Sequence, residues 1–180
     1  MTEIYEPAED SYLLANVLKR YFSNNDKNLD FLEVGCGSGI LIKTLLEIGV
    51  AKEKIQCVDI NSEAITQCKN LGINCFESNL FDKINKKFDV IIFNPPYLPE
   101  DKNEPQNSRL ATTGGKKGSE VINKFLFDAK KHLREEGIIF LLTSSLTKEI
   151  DFLDYEMTLL ASKKLFFEEL FVWGLKLLRN

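Results

Sequence analysis

The sequence predicts a doubly wound α/β fold: a mostly parallel seven-stranded sheet with helices on both faces and an antiparallel C-terminal hairpin. Three observations carry this. A short apolar strand at residues 30–34 runs through the glycine turn GCGSG directly into a helical run at 40–48, which is the opening of a βα unit. Strand and helix patterns then alternate, and alternation calls for a parallel sheet covered on both faces. After residue 147 the alternation gives way to two apolar stretches, 157–160 and 170–178, with a charged turn between them, which reads as a hairpin along the sheet.

Taken in order, Asp10 or Ser11 is expected to cap a helix that carries Leu13, Leu14, Val17, Leu18, Tyr21 and Phe22 on a helical period. The lead-in YEPAED before it reads, by local chemistry alone, as N-terminal coil. Strands are expected at 56–60, 73–77 and 88–93, with a helix at 62–70 between the first two. The run 88–93 is apolar and β-branched, as a buried strand should be, and it stops at Asn94-Pro95-Pro96-Tyr97. Prolines donate no N–H and fix φ, so a side-chain amide, a backbone carbonyl and a tyrosine ride on one stiff corner. From 94 to 117 no period is visible, and a stretch of that length reads as a binding loop. Ser119 is expected to cap a helix carrying Val121, Ile122, Phe125, Leu126, Ala129 and Leu133, and Gly137 to lead into a buried strand at 138–143. A short helix is expected at 148–153. The stretch 163–171 is compatible with either the hairpin turn or a helix.

A chain of 180 residues suits one domain, 1–180. Its net charge of −4 argues against a broad footprint for duplex nucleic acid. No apolar run reaches the length of a membrane span, and the acidic N-terminus has no apolar core of a signal or transit peptide, so a cytoplasmic setting is expected. Cys36, Cys57, Cys68 and Cys75 lack C-x-x-C spacing and His132 is the only histidine, so no zinc site is expected within the chain. The cysteines read as small buried apolar residues in a reducing compartment. Phe166, Phe167, Phe171 and Trp173 read as core or interface, and Lys116 and Lys117 as solvated.

In an open α/β sheet ligands bind beyond the carboxyl ends of the strands, at the switch point. Four strand ends carry suitable chemistry: Glu33 through Gly39, Asp59, Ser78-Asn79-Leu80, and the Asn94 corner. Gly35, Gly37 and Gly39 let a ligand approach the backbone, and Asp59 lies about 20 residues further on, where an acid can take the hydroxyls of a ribose. The spacing is G-x-G-x-G, not the G-x-G-x-x-G of dinucleotide sites, and Glu33 beside it favours a positive group over a phosphate. S-adenosyl-L-methionine fits this pattern and a nicotinamide dinucleotide does not.

LEVGCGSG, Asp59 and NPPY, in that order, resemble HemK-like class I S-adenosylmethionine methyltransferases. The YEPAEDS lead-in ending at Ser11, the NPPY corner and the TGGKKG run ending at Gly118 resemble more narrowly the archaeal and eukaryotic release-factor glutamine methyltransferases. This resemblance implies that Ser11, Glu33, Gly35, Asp59, Asn79, Leu80 and Asn94 touch the cofactor, with Gly37 in the same turn, and that S-adenosyl-L-homocysteine is the product. It also implies methylation of the glutamine amide in the GGQ motif of a peptide chain release factor. A heterodimer with a small zinc-binding activator is implied too, paired along an edge strand for which 73–76 is the candidate. Asn79 stands where the family usually has Asp. Asn94 and Pro95 would take the two amide hydrogens of the target and Tyr97 would stack on its plane. The same corner would also suit an adenine or guanine exocyclic amine in nucleic acid, though the chain shows no basic groove, and a non-catalytic cofactor-binding subunit is the third reading.

Overall fold

The computed structural model describes residues 4–101 and 105–178. In chain order its elements are α1 (Glu9–Phe22), β1 (Phe31–Val34), α2 (Ile40–Glu47), β2 (Ile55–Asp59), α3 (Ser62–Asn70), β3 (Asn74–Glu77), β4 (Phe88–Phe93), β5 (Leu98–Pro99), α4 (Gln106–Thr112), β6 (Thr113–Gly115), α5 (Glu120–His132), β7 (Leu133–Ser144), β8 (Tyr155–Lys164) and β9 (Glu169–Leu177). A seven-stranded sheet runs in the order β3-β2-β1-β4-β7-β9-β8. The β3 to β7 pairings are parallel, and β9 runs antiparallel to both β7 and β8. The expected doubly wound sheet with a C-terminal hairpin is therefore present.

Pleat alternation assigns the faces. Phe31 packs edge-on against Phe22 of α1 at 5.2 Å, and Phe140 joins them from β7. Phe93, on the adjacent strand β4 and the opposite face, packs on Phe125 of α5 at 4.6 Å. Helices α1, α2 and α3 thus share one face with Phe31 and Glu33, and α5 covers the other. The order of strands reverses between β1 and β4. Val34 is the register partner of both Val58 and Phe93, so the residues that follow them, Gly35, Asp59 at the end of β2, and Asn94, reach one level at the carboxyl end of the sheet.

Several sequence expectations are corrected. Helix α1 starts at Glu9 after Ala8, so neither Asp10 nor Ser11 caps it; both are buried within its first turn and face the sheet end instead. The 94–117 loop is not structureless: β5 and β6 pair within it and α4 precedes β6. Residues 148–153 form no helix. Leu133 opens β7 rather than closing α5, which makes that strand longer than expected. The hairpin strands are longer too, β8 running to Lys164 and β9 starting at Glu169, so 163–171 is not helical. Cys57 and Cys75 form a disulfide rather than standing as free apolar thiols. They are register partners on adjacent strands, a pairing across the sheet that no spacing along the chain reveals. Among the described residues no helix is long and apolar enough to cross a membrane.

Candidate active site

A cavity of about 660 Å³ opens at the carboxyl ends of β1, β2, β3 and β4. Ser11, Glu33, Gly35, Gly37, Asp59, Asn79, Leu80, Asn94 and Pro95 all line it, so nine of the residues singled out from the sequence are brought together. Tyr97 is the exception. It is buried behind the corner with its hydroxyl beside Asp10, and it does not form the cavity wall, so the stacking role expected for it is not available in this conformation.

The floor is set by β1 and its turn. Gly35, Gly37 and Gly39 have φ of 70°, 47° and 73°, a left-handed path that strains other residues. That path turns the Gly37 N–H onto Asp59 Oδ2 at 2.9 Å, while Asp59 Oδ1 accepts from the Asn61 N–H at 2.9 Å. Asn61, not Asp59, caps α3, its side chain accepting from the Glu63 N–H. Asp59 therefore braces the glycine turn and keeps lone pairs to spare, since a carboxylate can accept about four hydrogen bonds.

Glu33 is 1 % exposed, and its Oε2 has no hydrogen-bond partner. Burial, and then the nearby Cys68 and Asp59, push its carboxyl well above the usual carboxylate range. An orphaned carboxylate oxygen beside an open cavity is a group waiting for a donor, because leaving it unpaired costs more than a lost hydrogen bond. On the neighbouring wall Leu80 holds φ of 51° with its side chain buried, and Asn79 before it is exposed to the cavity. Behind Glu33 lie the cysteines. The sulfurs of Cys36, Cys57 and Cys68 are within 4.8 Å of one another, Cys57 being committed to its disulfide. The neighbouring Cys68 sulfur, together with burial, pushes the Cys36 thiol well above the usual thiol range.

The opposite wall is the corner after β4. The Asn94 amide nitrogen donates to Asp10 Oδ2 at 3.1 Å and lies 3.4 Å from Ser11 Oγ, and its Oδ1 is buried without a partner. Asp10 Oδ1 in turn accepts from the Tyr5 hydroxyl at 3.1 Å and the Ser11 N–H at 2.6 Å. Burial and the Asp10 charge hold both Tyr5 and Tyr97 in their protonated forms far beyond neutral pH. Asp10 and Tyr5 are functional neighbours that sequence reasoning missed. The YEPAED string was visible, but its carboxylate looked like a cap because nothing local links it to a residue 84 positions away.

The glycine-rich run after α4, which lines the cavity itself through Thr113, Gly114, Gly115 and Lys116, packs tightly against this corner. A Cβ on Gly114 would stand 2.5 Å from the Pro96 carbonyl oxygen, and one on Gly118 would stand 2.3 Å from the Tyr97 carbonyl oxygen. Thr147 Oγ1 donates to that same Tyr97 carbonyl at 2.9 Å. The corner is thus clamped from two sides. The arrangement can hold a cationic group at one wall and a planar N–H donor at the other.

Comparisons with known proteins agree with this geometry. The family model described as the methyltransferase small domain matches residues 9–163. The chain is 40% identical over 187 residues to a Methanocaldococcus jannaschii protein carrying the name protein N5-glutamine methyltransferase, covering 94% of this chain and 90% of that one. It is 29% identical to the methyltransferase HEMK2 of Homo sapiens over 154 residues, 79% of this chain and 72% of the relative. Among solved structures it is similar to the E. cuniculi Mtq2–Trm112 complex, described as responsible for methylation of the eRF1 translation termination factor. That likeness has a TM-score of 0.76 and 25% identity and covers 98% of this chain and 99% of the other. A family match that runs from the first helix to the C-terminal hairpin, over a cavity of this make-up, assigns the chain: it belongs to the methyltransferase small domain family, as a HemK-like class I methyltransferase.

Proposed function

We propose that this methyltransferase transfers a methyl group from S-adenosyl-L-methionine to the side-chain amide nitrogen of the glutamine in the GGQ motif of a peptide chain release factor. One observation carries the reading: the buried, unpartnered Oδ1 of Asn94 on the cavity wall, its amide nitrogen tied back to Asp10. Names borne by the relatives supply the acceptor class.

The residues fit the cofactor. The orphaned Glu33 oxygen suits its ammonium group, the open glycine turn its methionyl chain, Asp59 its ribose hydroxyls, and Asn79 with the Leu80 backbone its adenine; Ser11 and Asn94 close the side nearest the acceptor. When bound, S-adenosyl-L-methionine supplies an electrophilic sulfonium methyl and leaves as S-adenosyl-L-homocysteine. A carboxamide nitrogen is a poor nucleophile because its lone pair is delocalised. Asn94 Oδ1 and the Pro95 carbonyl would accept its two hydrogens and aim that lone pair across the cavity, so the protein contributes mainly orientation and exclusion of water. No side chain has to remove a proton before transfer; the N–H proton passes to solvent afterwards. We infer that a small zinc-binding activator pairs along β3, an edge strand of the sheet, and that the enzyme works in the cytoplasm.

The test is to incubate the protein, alone and with a candidate activator, with isotopically labelled cofactor and a release factor of its own translation system. One methyl group on the GGQ glutamine, found by peptide mass spectrometry and lost with Asn94→Ala, is expected. A factor left unmodified under both conditions overturns the assignment.

A further inference from the structure

The hairpin between β8 and β9 turns at residues 165–168, and its tip is two phenylalanines. Phe166 is 92% exposed and Phe167 86%, so the core or interface role expected from sequence is not met by the core. Their rings stack edge to face at 4.7 Å. They contribute nothing to the fold's interior, and a two-residue aromatic tip in water is an unusual cost for a turn that polar residues could make.

The tip is rigid and placed. Leu165 N–H closes the turn on the Glu168 carbonyl at 2.8 Å. The Glu168 carboxylate accepts from Ser144 Oγ at the carboxyl end of β7; the Ser145 N–H donates to the Glu169 carbonyl at 2.8 Å, and the Glu169 N–H donates to Ser145 Oγ at 2.9 Å. Lys163, just before the turn, pairs with Glu9 at the start of α1. Glu168 is near enough to Tyr5 and Tyr97 that its charge helps hold their protons. The tip therefore stands at the same end of the sheet as the cavity, on the side of the Asn94 corner rather than that of Asp59.

We propose that Phe166 and Phe167 form a docking anchor for the body of the protein substrate, gripping the folded domain that presents the methylated glutamine; this rests on the reading under Proposed function. A glutamine side chain offers the cavity only a small planar group, so affinity for a macromolecular acceptor has to come from surface beyond it. Exposed aromatic side chains are the residue type that concentrates binding energy when a partner covers them. The activator is a poor candidate for this site. The edge strand β3 is six strand spacings from β8, roughly 29 Å across the sheet.

The experiment compares the wild type with the double variant F166S/F167S, prepared with the activator wherever one co-purifies. Both residues are exposed, so the thermal midpoint is expected to be unchanged. Steady-state methylation is measured with the intact release factor and with a short synthetic peptide containing the GGQ sequence, and factor binding is measured separately by calorimetry. Expected is a KM and a Kd for the intact factor raised at least about 10-fold, with kcat nearly unchanged and kcat/KM for the peptide unaltered. F166Y/F167Y should restore most of the loss. An unchanged KM and Kd for the factor, with wild-type methylation intact, overturns the anchor and leaves the enzymatic reading standing. A wild type that neither binds nor methylates the factor overturns that reading and the anchor with it. A wild-type dimer that the double variant converts to monomer, with KM unchanged, assigns the tip to self-association and likewise overturns the anchor.

Discussion

The Asn94 amide nitrogen donates to Asp10 Oδ2 across 84 positions of sequence, and this contact decides which end of the amide faces the cavity. An ionised carboxylate can only accept, so the nitrogen must point toward it and the oxygen away. The residue that sets the acceptor's geometry is thus a helix-borne acid with no chemistry of its own. Asp10→Asn keeps the volume but can present either atom to Asn94, which frees the amide to flip. We expect kcat to fall roughly 10- to 100-fold, with cofactor Kd changed far less, because Glu33 and Asp59 are untouched. Steady-state kinetics beside calorimetric cofactor titration checks this; equal losses in both would assign Asp10 to cofactor binding.

Glu33 predicts a pH dependence of definite sign. Its carboxyl in the fold lies above its unfolded value, so the cofactor-free fold binds the proton more tightly than the unfolded chain does. That contribution to stability is full below the ordinary carboxylate range and is lost as pH rises through the raised value. The thermal midpoint of the cofactor-free protein should therefore fall over that interval, and Glu33→Gln should flatten the fall. A cation placed on Glu33 reverses the preference. Cofactor binding should release a proton at pH values below the raised value, seen as a buffer-dependent enthalpy in calorimetry, and Glu33→Gln should abolish both the release and most of the affinity.

How much of this was legible follows from where each interaction lives in sequence. Gly35 through Gly39, Asp59 and Asn94 stand at strand ends, and strand ends are readable from local pattern, so the cavity floor and its open corner were visible together with the sheet. Asp10 to Asn94 and Cys57 to Cys75 are tertiary pairings, and neither residue type nor spacing encodes them. The helix expected at 148–153 failed for a related reason. There the backbone is held by long-range bonds, the Lys148 N–H to the Lys117 carbonyl at 3.1 Å and the Asp151 N–H to Asn123 Oδ1 at 2.9 Å, which outweigh a weak local preference.

Asn79 is a neutral amide on the cavity wall between β3 and the strained Leu80. Its carbonyl can accept from an exocyclic amine, but without the charge assistance a carboxylate brings. Charge-assisted bonds are about twice as strong as neutral ones. Asn79→Asp should tighten cofactor binding about 3- to 10-fold with kcat nearly unchanged, read by calorimetry. Weaker binding would mean that the acidic surroundings of Glu33 and Asp59 already saturate the site with negative charge.

Gly114 separates the clamp on the corner from the chemistry in it. Its φ is not left-handed, so the glycine is required for space alone: an added Cβ would lie 2.2 Å from the Gly118 carbonyl oxygen and 2.5 Å from that of Pro96. Both obstacles are backbone and cannot swing aside, so Gly114→Ala must push the β6 turn and the Asn94 corner apart. Overpacking of this kind costs about 1–3 kcal/mol, and a displacement near 1 Å at the acceptor can remove about 100-fold of rate. Gly49→Ala is the control. Gly49 has φ of 93° with open space around it, so alanine there introduces backbone strain of about 1–2 kcal/mol far from the cavity wall. Both variants should lose similar stability in denaturant titrations, and Gly114→Ala alone should lose activity at temperatures where both remain folded. Equal activity losses would show that the rate follows global stability and that the glycine run does not hold the corner in place.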